Sequence, residues 1–142
     1  MREGRTSHAT AAKYEENGGA VAWELRLGAG MRNHLHQDVL EHAVQVVAVA
    51  RPLVEAVARR DRDLASQLRR ALSSVALNLA EGLGSEAGHA RLRFQTARGS
   101  LYEAQAGLRV GVAWGYVSGE SAADALESMH ALGGRVFGLA RR

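Results

Sequence analysis

The stretch LRRALSSVALNLAEGLGSE, residues 68–86, carries two stripes of side chains on one predicted helix. The first stripe is apolar and recurs every three or four residues, which is typical of an amphipathic helix that faces a core. Its members are Leu68, Leu72, Val75 and Leu79. The second stripe has the same spacing on the neighbouring face and contains Ser74, Asn78 and Glu81. We therefore expect this helix to bury one face and to hold the other against a further helix, inside its own bundle or beyond it.

The same spacing predicts three more helices. The four expected helices begin near Gln37, span about 64–81, span about 88–114, and run from about 122 to the C-terminus. The expected capping residues are Asp63 and Gly82 for the second helix and Ser118 or Ser121 for the fourth. Pro52 removes one backbone hydrogen bond from the first helix and is expected to kink or break it. Four helices with short connections predict an all-α, antiparallel, up-down-up-down four-helix bundle.

Residues 1–33 differ from the rest, and we expect a flexible or irregular leader ahead of a bundle domain at 34–142. MREGRTSHATAAKYEENGGA is polar and aperiodic, which is typical of disorder. VAWELRLGAG then alternates apolar and polar residues like a short strand. Two interpretations stay open, a loose leader with an apolar patch and an arm that docks on a neighbouring subunit. Met31 is an alternative start of translation.

Composition narrows the class of protein. A chain of 142 residues fits one domain, and its many alanines and few aromatic residues favour helices. The absence of cysteine excludes a disulfide framework and a thiol nucleophile. The most apolar stretch, 39–58, holds too many charged and polar residues to span a bilayer, and the N-terminus lacks an apolar signal region. We expect a soluble, cytoplasmic protein that does not contact a membrane.

Two longer strings resemble the bacterial four-helix bundle protein family: SQLRRALSSVALNLAEGLG at 66–84 and RFQTARGSLYEAQAGLRVGVAWGYVS at 93–118. The family pattern is close to Q-L-R-R-A, N-I-A-E-G, R-F-x-x-A-x-G-S-L-x-E and L-G-Y. Its counterparts are Gln67–Ala71, Asn78–Gly82, Arg93–Glu103 and Trp114–Tyr116. The family includes proteins encoded by intervening sequences in large-subunit ribosomal RNA genes, and it is related to the accessory variability determinant of diversity-generating retroelements.

The resemblance covers roughly residues 35–140 and implies a homopentameric ring of bundles. It also implies RNA or DNA binding and a partner such as a reverse transcriptase, because the retroelement relative has both. The loop after Gly82 reads LGSEAGHA, which is less basic than is usual in the family.

The polar stripe has a structural and a catalytic interpretation. On the predicted second and third helices its members are Gln67, Ser74, Asn78, Glu81, Arg98, Ser100 and Glu103. Neighbours three or four apart lie together on a helix, so these side chains are expected to satisfy one another, or Arg69, in a buried seam that fixes helix register or subunit packing. Glu81 and Glu103 are a candidate acid and base pair, but no nucleophile or substrate cradle stands beside them. We expect a structural seam and no enzymatic activity.

Arginine supplies 17 of the 18 basic residues, and the formal net charge is +3. Residues 59–109 contain nine arginines against five acidic residues. The expected nucleic-acid-binding residues are Arg59, Arg60, Arg62, Arg69, Arg70, Arg91 and Arg93. Repeated around a ring, such a surface binds phosphates with salt-dependent affinity. No aromatic ladder accompanies these arginines in the sequence, so binding is expected to rest on the backbone rather than on base stacking.

Two other functions remain open. One is a protein-only assembly module, in which the arginines pair with Glu81, Glu103 and Asp63. The other is a metal-binding bundle, for which the candidate pairs are Glu127 with His130, Glu86 with His89, and Asp38 with His42 beside His34 and His36. We expect no metal and no cofactor, because single histidines on helix surfaces are common.

Overall fold

A computed structural model describes residues 34–142, and this part of the chain is all-α, with four helices and no strand. The helices are α1 (His34–Ala58), α2 (Arg62–Leu83), α3 (Ala87–Ala113) and α4 (Gly119–Ala140). They are joined by links at 59–61, 84–86 and 114–118. The predictions for residues 1–33, including the strand-like pattern and the alternative start at Met31, lie outside the described residues. Each of the four expected helices is confirmed, with bounds shifted by a few residues.

All four helices contribute apolar side chains to one core. The predicted seam of α2 is confirmed, because Leu68, Leu72, Val75 and Leu79 are all buried. The largest fully buried side chains on the later helices are Leu101, Leu108, Met129 and Leu132. Burying a side chain of this size stabilises the fold by about 1.5–3 kcal/mol. The helices pack as neighbours in chain order, α1 also packs on α4, and the α2–α3 interface is the largest. This last interface carries the polar stripe.

The N-cap of α2 is Asp61 and not Asp63, so the capping prediction for this helix was wrong by two residues. The Asp61 carboxylate accepts a hydrogen bond of 2.9 Å from the backbone N–H of Leu64. Asp63 lies in the first turn instead, where a negative charge still interacts favourably with the helix dipole. The predicted cap of α4 is confirmed at Ser118, whose hydroxyl accepts a hydrogen bond from the N–H of Ser121.

Gly82 does not end α2, because the helix continues to Leu83 and is capped by Gly84 with φ −94°. Gly82 is buried, and a Cβ atom at this position would lie 2.5 Å from Cε1 of Phe94. The glycine therefore lets the Phe94 ring of α3 pack directly on the backbone of α2. Pro52, for which the sequence predicts a kink or a break, does not break α1, which runs without interruption from His34 to Ala58.

The turn after α3 contains a glycine in the left-handed region of backbone conformation. Gly115 has φ +73°, and it is the one residue with positive φ within 34–142. The N–H of Tyr116 donates to the carbonyl of Gly111, and the N–H of Gly115 donates to the carbonyl of Val112. This pair of bonds is the Schellman motif, which fixes the backbone on both sides of the glycine. Trp114 and Tyr116 are thus held in defined positions at one end of the helices.

Among residues 34–142, none of the helices combines the length and the apolar character that a membrane span requires.

Candidate functional site

An open groove of about 420 Å³ lies on the surface where α2 meets α3. Its lining residues are Arg69, Arg70, Ser73, Ser74, Leu77, Asn78, Glu81 and Arg93. All but Arg93 belong to α2, and their spacing of three or four residues places them on one face of that helix. Arg93 reaches the groove from the second turn of α3. The polar stripe and part of the predicted arginine set therefore form a single surface feature.

A chain of hydrogen bonds crosses the floor of this groove. Ser74 Oγ and Ser100 Oγ are 2.8 Å apart and join α2 to α3. The amide Nδ2 of Asn78 donates to the backbone carbonyl of Ser74 at 2.9 Å and to its Oγ at 3.1 Å. Arg93 Nη1 donates to Oδ1 of Asn78 at 3.4 Å, and Arg93 Nε lies 2.9 Å from Oε2 of Glu81. The network thus ends on an ion pair at the groove's edge.

Charge is distributed unequally in the groove. Glu81 neutralises Arg93, and about half of each of these two side chains is exposed. Arg69 and Arg70 are exposed, and neither forms an ion pair with any residue of 34–142. Their guanidinium groups can therefore take an external phosphate without first breaking an internal contact. Guanidinium matches phosphate geometry through paired N–H donors.

The structure brings together only three of the seven predicted nucleic-acid-binding arginines, which are Arg69, Arg70 and Arg93. Arg59 and Arg60 lie in the α1–α2 link, and Arg62 begins α2. Arg91 lies beyond the other end of α2, near the start of α3. Because the 22 residues of α2 span about 33 Å at 1.5 Å per residue, the seven residues are spread along the helix and do not form one site.

Six of the seven residues of the predicted polar seam are either half-buried and bonded to one another or exposed. Ser74, Asn78 and Ser100 are half-buried and bonded to one another as described above. Gln67, Glu81 and Glu103 are exposed, and within 34–142 no polar or charged residue is fully buried. The expected burial of the seam is therefore absent inside one chain.

Arg98 has aromatic partners instead of the acidic partners that the sequence suggested. Its guanidinium carbon lies 5.8 Å from the ring centre of Tyr102 and 5.3 Å from that of Phe137. Phe137 belongs to α4, and the guanidinium carbon of Arg141 lies 5.2 Å from its ring centre. Guanidinium groups interact favourably with aromatic faces at such distances. Sequence spacing could not reveal this cluster, because it joins two helices.

The α1–α4 interface holds a second polar contact that the sequence analysis missed. Arg135 Nη1 donates to the backbone carbonyl of Asp38 at 3.2 Å and lies 3.3 Å from Nδ1 of His42. His42 Nε2 is 3.5 Å from Oγ of Ser128. Burial lowers the pKa of His42 below its usual 6.5, and the charge of Arg135 lowers this pKa further. The neutral imidazole is therefore the form that the folded chain favours.

The candidate metal pairs gain no further ligands from the fold. Within residues 38–142, no three His, Asp or Glu side chains are placed to hold one ion together. Glu127 and His130 are both exposed on α4, and Glu86 and His89 are exposed near the start of α3. Arg135 Nη1 lies 3.3 Å from Nδ1 of His42, and its positive charge opposes a cation at this nitrogen. The side chains of residues 34 and 36 lie outside the described part.

Comparison with protein families matches the model for the 23S rRNA-intervening sequence protein to residues 35–137. The match covers α1, α2, α3 and most of α4, including the whole groove. Comparison with curated proteins and with solved structures finds no match. The four helices observed at 34–142 are consistent with a helical bundle family. Since the family model accounts for well over half of the sequence, the chain belongs to the 23S rRNA-intervening sequence protein family.

Proposed function

We propose that this protein is a non-enzymatic, homo-oligomeric accessory or scaffold protein that binds RNA or DNA through its arginines. The observation that carries this proposal is the α2–α3 groove, where Arg69 and Arg70 are exposed and form no ion pair with residues 34–142. Phosphates of a nucleic acid backbone are the ligands that such a groove fits best. The family's connection to a 23S rRNA intervening sequence agrees with a function near RNA. A reverse transcriptase or another protein is a further proposed partner, and the cytoplasm is the proposed location.

A catalytic function is disfavoured by the state of the two candidate carboxylates. The Glu81 carboxylate is already engaged in an ion pair with Arg93 at 2.9 Å. Glu103 is exposed on α3 and does not line the groove. A general acid or base needs a partner group within hydrogen-bond reach. These placements support a binding function for the stripe.

We further propose an up-down-up-down bundle that assembles into a pentameric ring. The short links at 59–61 and 84–86 support antiparallel neighbours, because helices joined by few residues commonly pack side by side in opposite directions. Several large apolar side chains on α2 and α3 remain exposed in the single chain and would gain from burial between copies. They are Leu77, Leu92, Tyr102 and Val110. A ring would also present the seven predicted arginines five times and so raise the avidity for nucleic acid.

The rival function is an assembly module that binds only protein. One observation favours it: the groove combines Arg93, already paired with Glu81, with the exposed side chain of Leu77. A partner helix with apolar and acidic residues would fit such a surface. Under this alternative the arginines contribute little to binding of nucleic acids.

Retention of labelled RNA and DNA on filters across a salt series separates the two functions. The proposal predicts retention of both nucleic acids at low salt and a steep loss of affinity as salt rises. Absence of retention at the lowest salt concentration rejects the proposal and leaves the protein-only alternative. Glu127→Gln, on an exposed part of α4 away from the groove, is a suitable control and should bind with at least the affinity of the unmodified protein.

A further inference from the structure

Three side chains that are distant in sequence form a short stack at the end of the bundle. The guanidinium carbon of Arg60 lies 6.0 Å from the ring centre of Tyr116. The rings of Tyr116 and Trp114 are 6.4 Å apart between centres and only 15° from parallel. Both distances lie in the range of favourable cation–π and offset aromatic contacts. The order is thus arginine, tyrosine, tryptophan, and we call these three residues the terminal stack.

The terminal stack ends on an exposed aromatic surface. Tyr116 is half-buried, whereas Trp114 is 69% exposed, the largest exposure among the big apolar side chains of 34–142. The Schellman turn around Gly115 holds the backbone of both aromatic residues. A large apolar ring that is fixed in place and open to water has already lost most of the freedom that binding would cost.

Two further arginines lie close in sequence to Arg60, which stacks on Tyr116. Arg59 and Arg62 are exposed on either side of Arg60 and Asp61. The Asp61 carboxylate is already engaged as the N-cap of α2, where it accepts a hydrogen bond from Leu64. A flat aromatic surface next to several guanidinium groups suits a ligand that is both planar and anionic. Nucleotides have this combination, since a base stacks on the ring while its phosphate contacts arginine.

We propose that the terminal stack is a binding site for an unpaired base of single-stranded RNA or DNA, with Trp114 as the stacking surface. This inference rests on the proposed nucleic-acid function. It adds that the terminal stack binds the single-stranded form. Bases inside a duplex are already stacked on both faces, so the ring of Trp114 selects strands with free bases. The arginines of the groove contact phosphate in either form.

Tryptophan fluorescence tests this site directly, because the chain has only two tryptophans. Trp23→Phe leaves Trp114 as the single reporter, and position 23 precedes the residues that the structure describes. We expect a single-stranded thymidine oligonucleotide to quench this emission. An abasic strand of equal length, which has the phosphates but not the bases, should bind more weakly and leave the emission nearly unchanged.

Substitution of Trp114 measures how much its ring contributes to the affinity for single-stranded nucleic acid. Trp114→Ala should weaken binding of the single strand by about five- to 100-fold, in line with the stacking contribution of one base. It should leave the salt dependence unchanged, because no charge is removed. Trp114→Phe should retain part of the affinity. The matched control is Phe137→Ala, which removes another exposed aromatic ring, near the C-terminal end of α4 and outside the proposed ring interface, and should bind normally.

These binding experiments distinguish failure of the stacking site from failure of the proposed nucleic-acid-binding function. Equal binding of normal, abasic and duplex DNA, with no quenching, overturns the stacking site while the proposed function stands. Failure of every nucleic acid to bind overturns both. A fall in native mass for Trp114→Ala, with single-strand affinity unchanged, assigns the ring to contact between copies and also overturns the proposal. Circular dichroism of each variant checks that the helices are intact.

Discussion

At the scale of single residues, a glycine at position 82 decides how closely α2 and α3 approach. The ring of Phe94, which is 7% exposed, occupies the space that any side chain at position 82 would need. The sequence suggested a C-cap at this glycine, because glycines end many helices. It gave no sign that the residue faces a ring on the next helix, since this contact depends on packing across the link.

Gly82→Ala is therefore expected to destabilise the chain by about 1–3 kcal/mol, the usual cost of overpacking a filled core. The new Cβ would meet three ring atoms of Phe94 within about 3 Å, and a buried aromatic ring has little room to move. Urea unfolding measures the change. The control is Gly99→Ala, where no atom lies within 4 Å of the added methyl group and helix propensity predicts a gain of about 0.5–1 kcal/mol. Equal effects of the two substitutions would contradict the packing that we describe.

His42 makes the stability of the bundle depend on pH. Because burial and Arg135 lower its pKa in the folded chain below 6.5, the unfolded chain binds more protons between these two values. The free energy of unfolding should therefore be highest above pH 6.5 and fall as the pH decreases toward the folded-state pKa. At still lower pH this contribution is fully lost.

Urea unfolding at a series of pH values measures this decline, and His42→Gln should make it shallower. His130→Gln, a substitution at an exposed position of α4, is the matched control and should keep the decline of the unmodified protein. An unchanged decline in His42→Gln would show that other groups cause it.

At the scale of elements, the α2–α3 groove shows what a pattern on one helix can predict. The stripe on α2 follows from spacing alone, and it does share one face with the arginines of the QLRRA string. The partner of Glu81 does not follow from spacing. Arg93, 12 residues away across the link, pairs with it, whereas Arg98 turns to aromatic rings. The packing of α3 on α2 decides between such partners.

Glu81→Gln tests whether this ion pair limits the charge of the groove. The change removes the one carboxylate in the lining and releases Arg93, so affinity for nucleic acid at low salt should rise about two-fold or more. Stability should change by less than about 1 kcal/mol, because both side chains are half exposed and such pairs contribute little. Fluorescence anisotropy with a labelled oligonucleotide measures the affinity.

The matched control for this experiment is Glu103→Gln. It removes the same charge from an exposed position of α3 outside the groove. A smaller gain in Glu103→Gln than in Glu81→Gln supports a local effect. The same gain in both variants would mean that only net charge matters and that the groove is not the contact surface.

At the scale of the whole molecule, the sequence predicted the all-α class and the number of helices, because the helical period is sustained through residues 37–140. It could not predict which distant residues meet. The terminal stack joins Arg60 to Tyr116, and the His42 contact joins α1 to α4. These contacts depend on how the helices are placed, which the helical period leaves open.

The proposed ring has a direct consequence for mass. One chain has a mass of 15.2 kDa, so light scattering during size-exclusion chromatography should give about five times this value at micromolar concentration. The apolar side chains left exposed on α2 and α3 are the surface that we propose for association. Elution of a stable monomer at that concentration would contradict the ring, although each chain could still bind nucleic acid.

The central claim is that Arg69 and Arg70 bind nucleic acid through phosphates, and the salt dependence of affinity tests it most directly. The measurement compares the unmodified protein with Arg69→Ala/Arg70→Ala and with Arg69→Lys/Arg70→Lys, which keeps the charge. We predict that the alanine variant reduces the slope of log affinity against log salt by about one per arginine, while the lysine variant keeps most of it. An alanine variant with the slope of the unmodified protein would contradict the account.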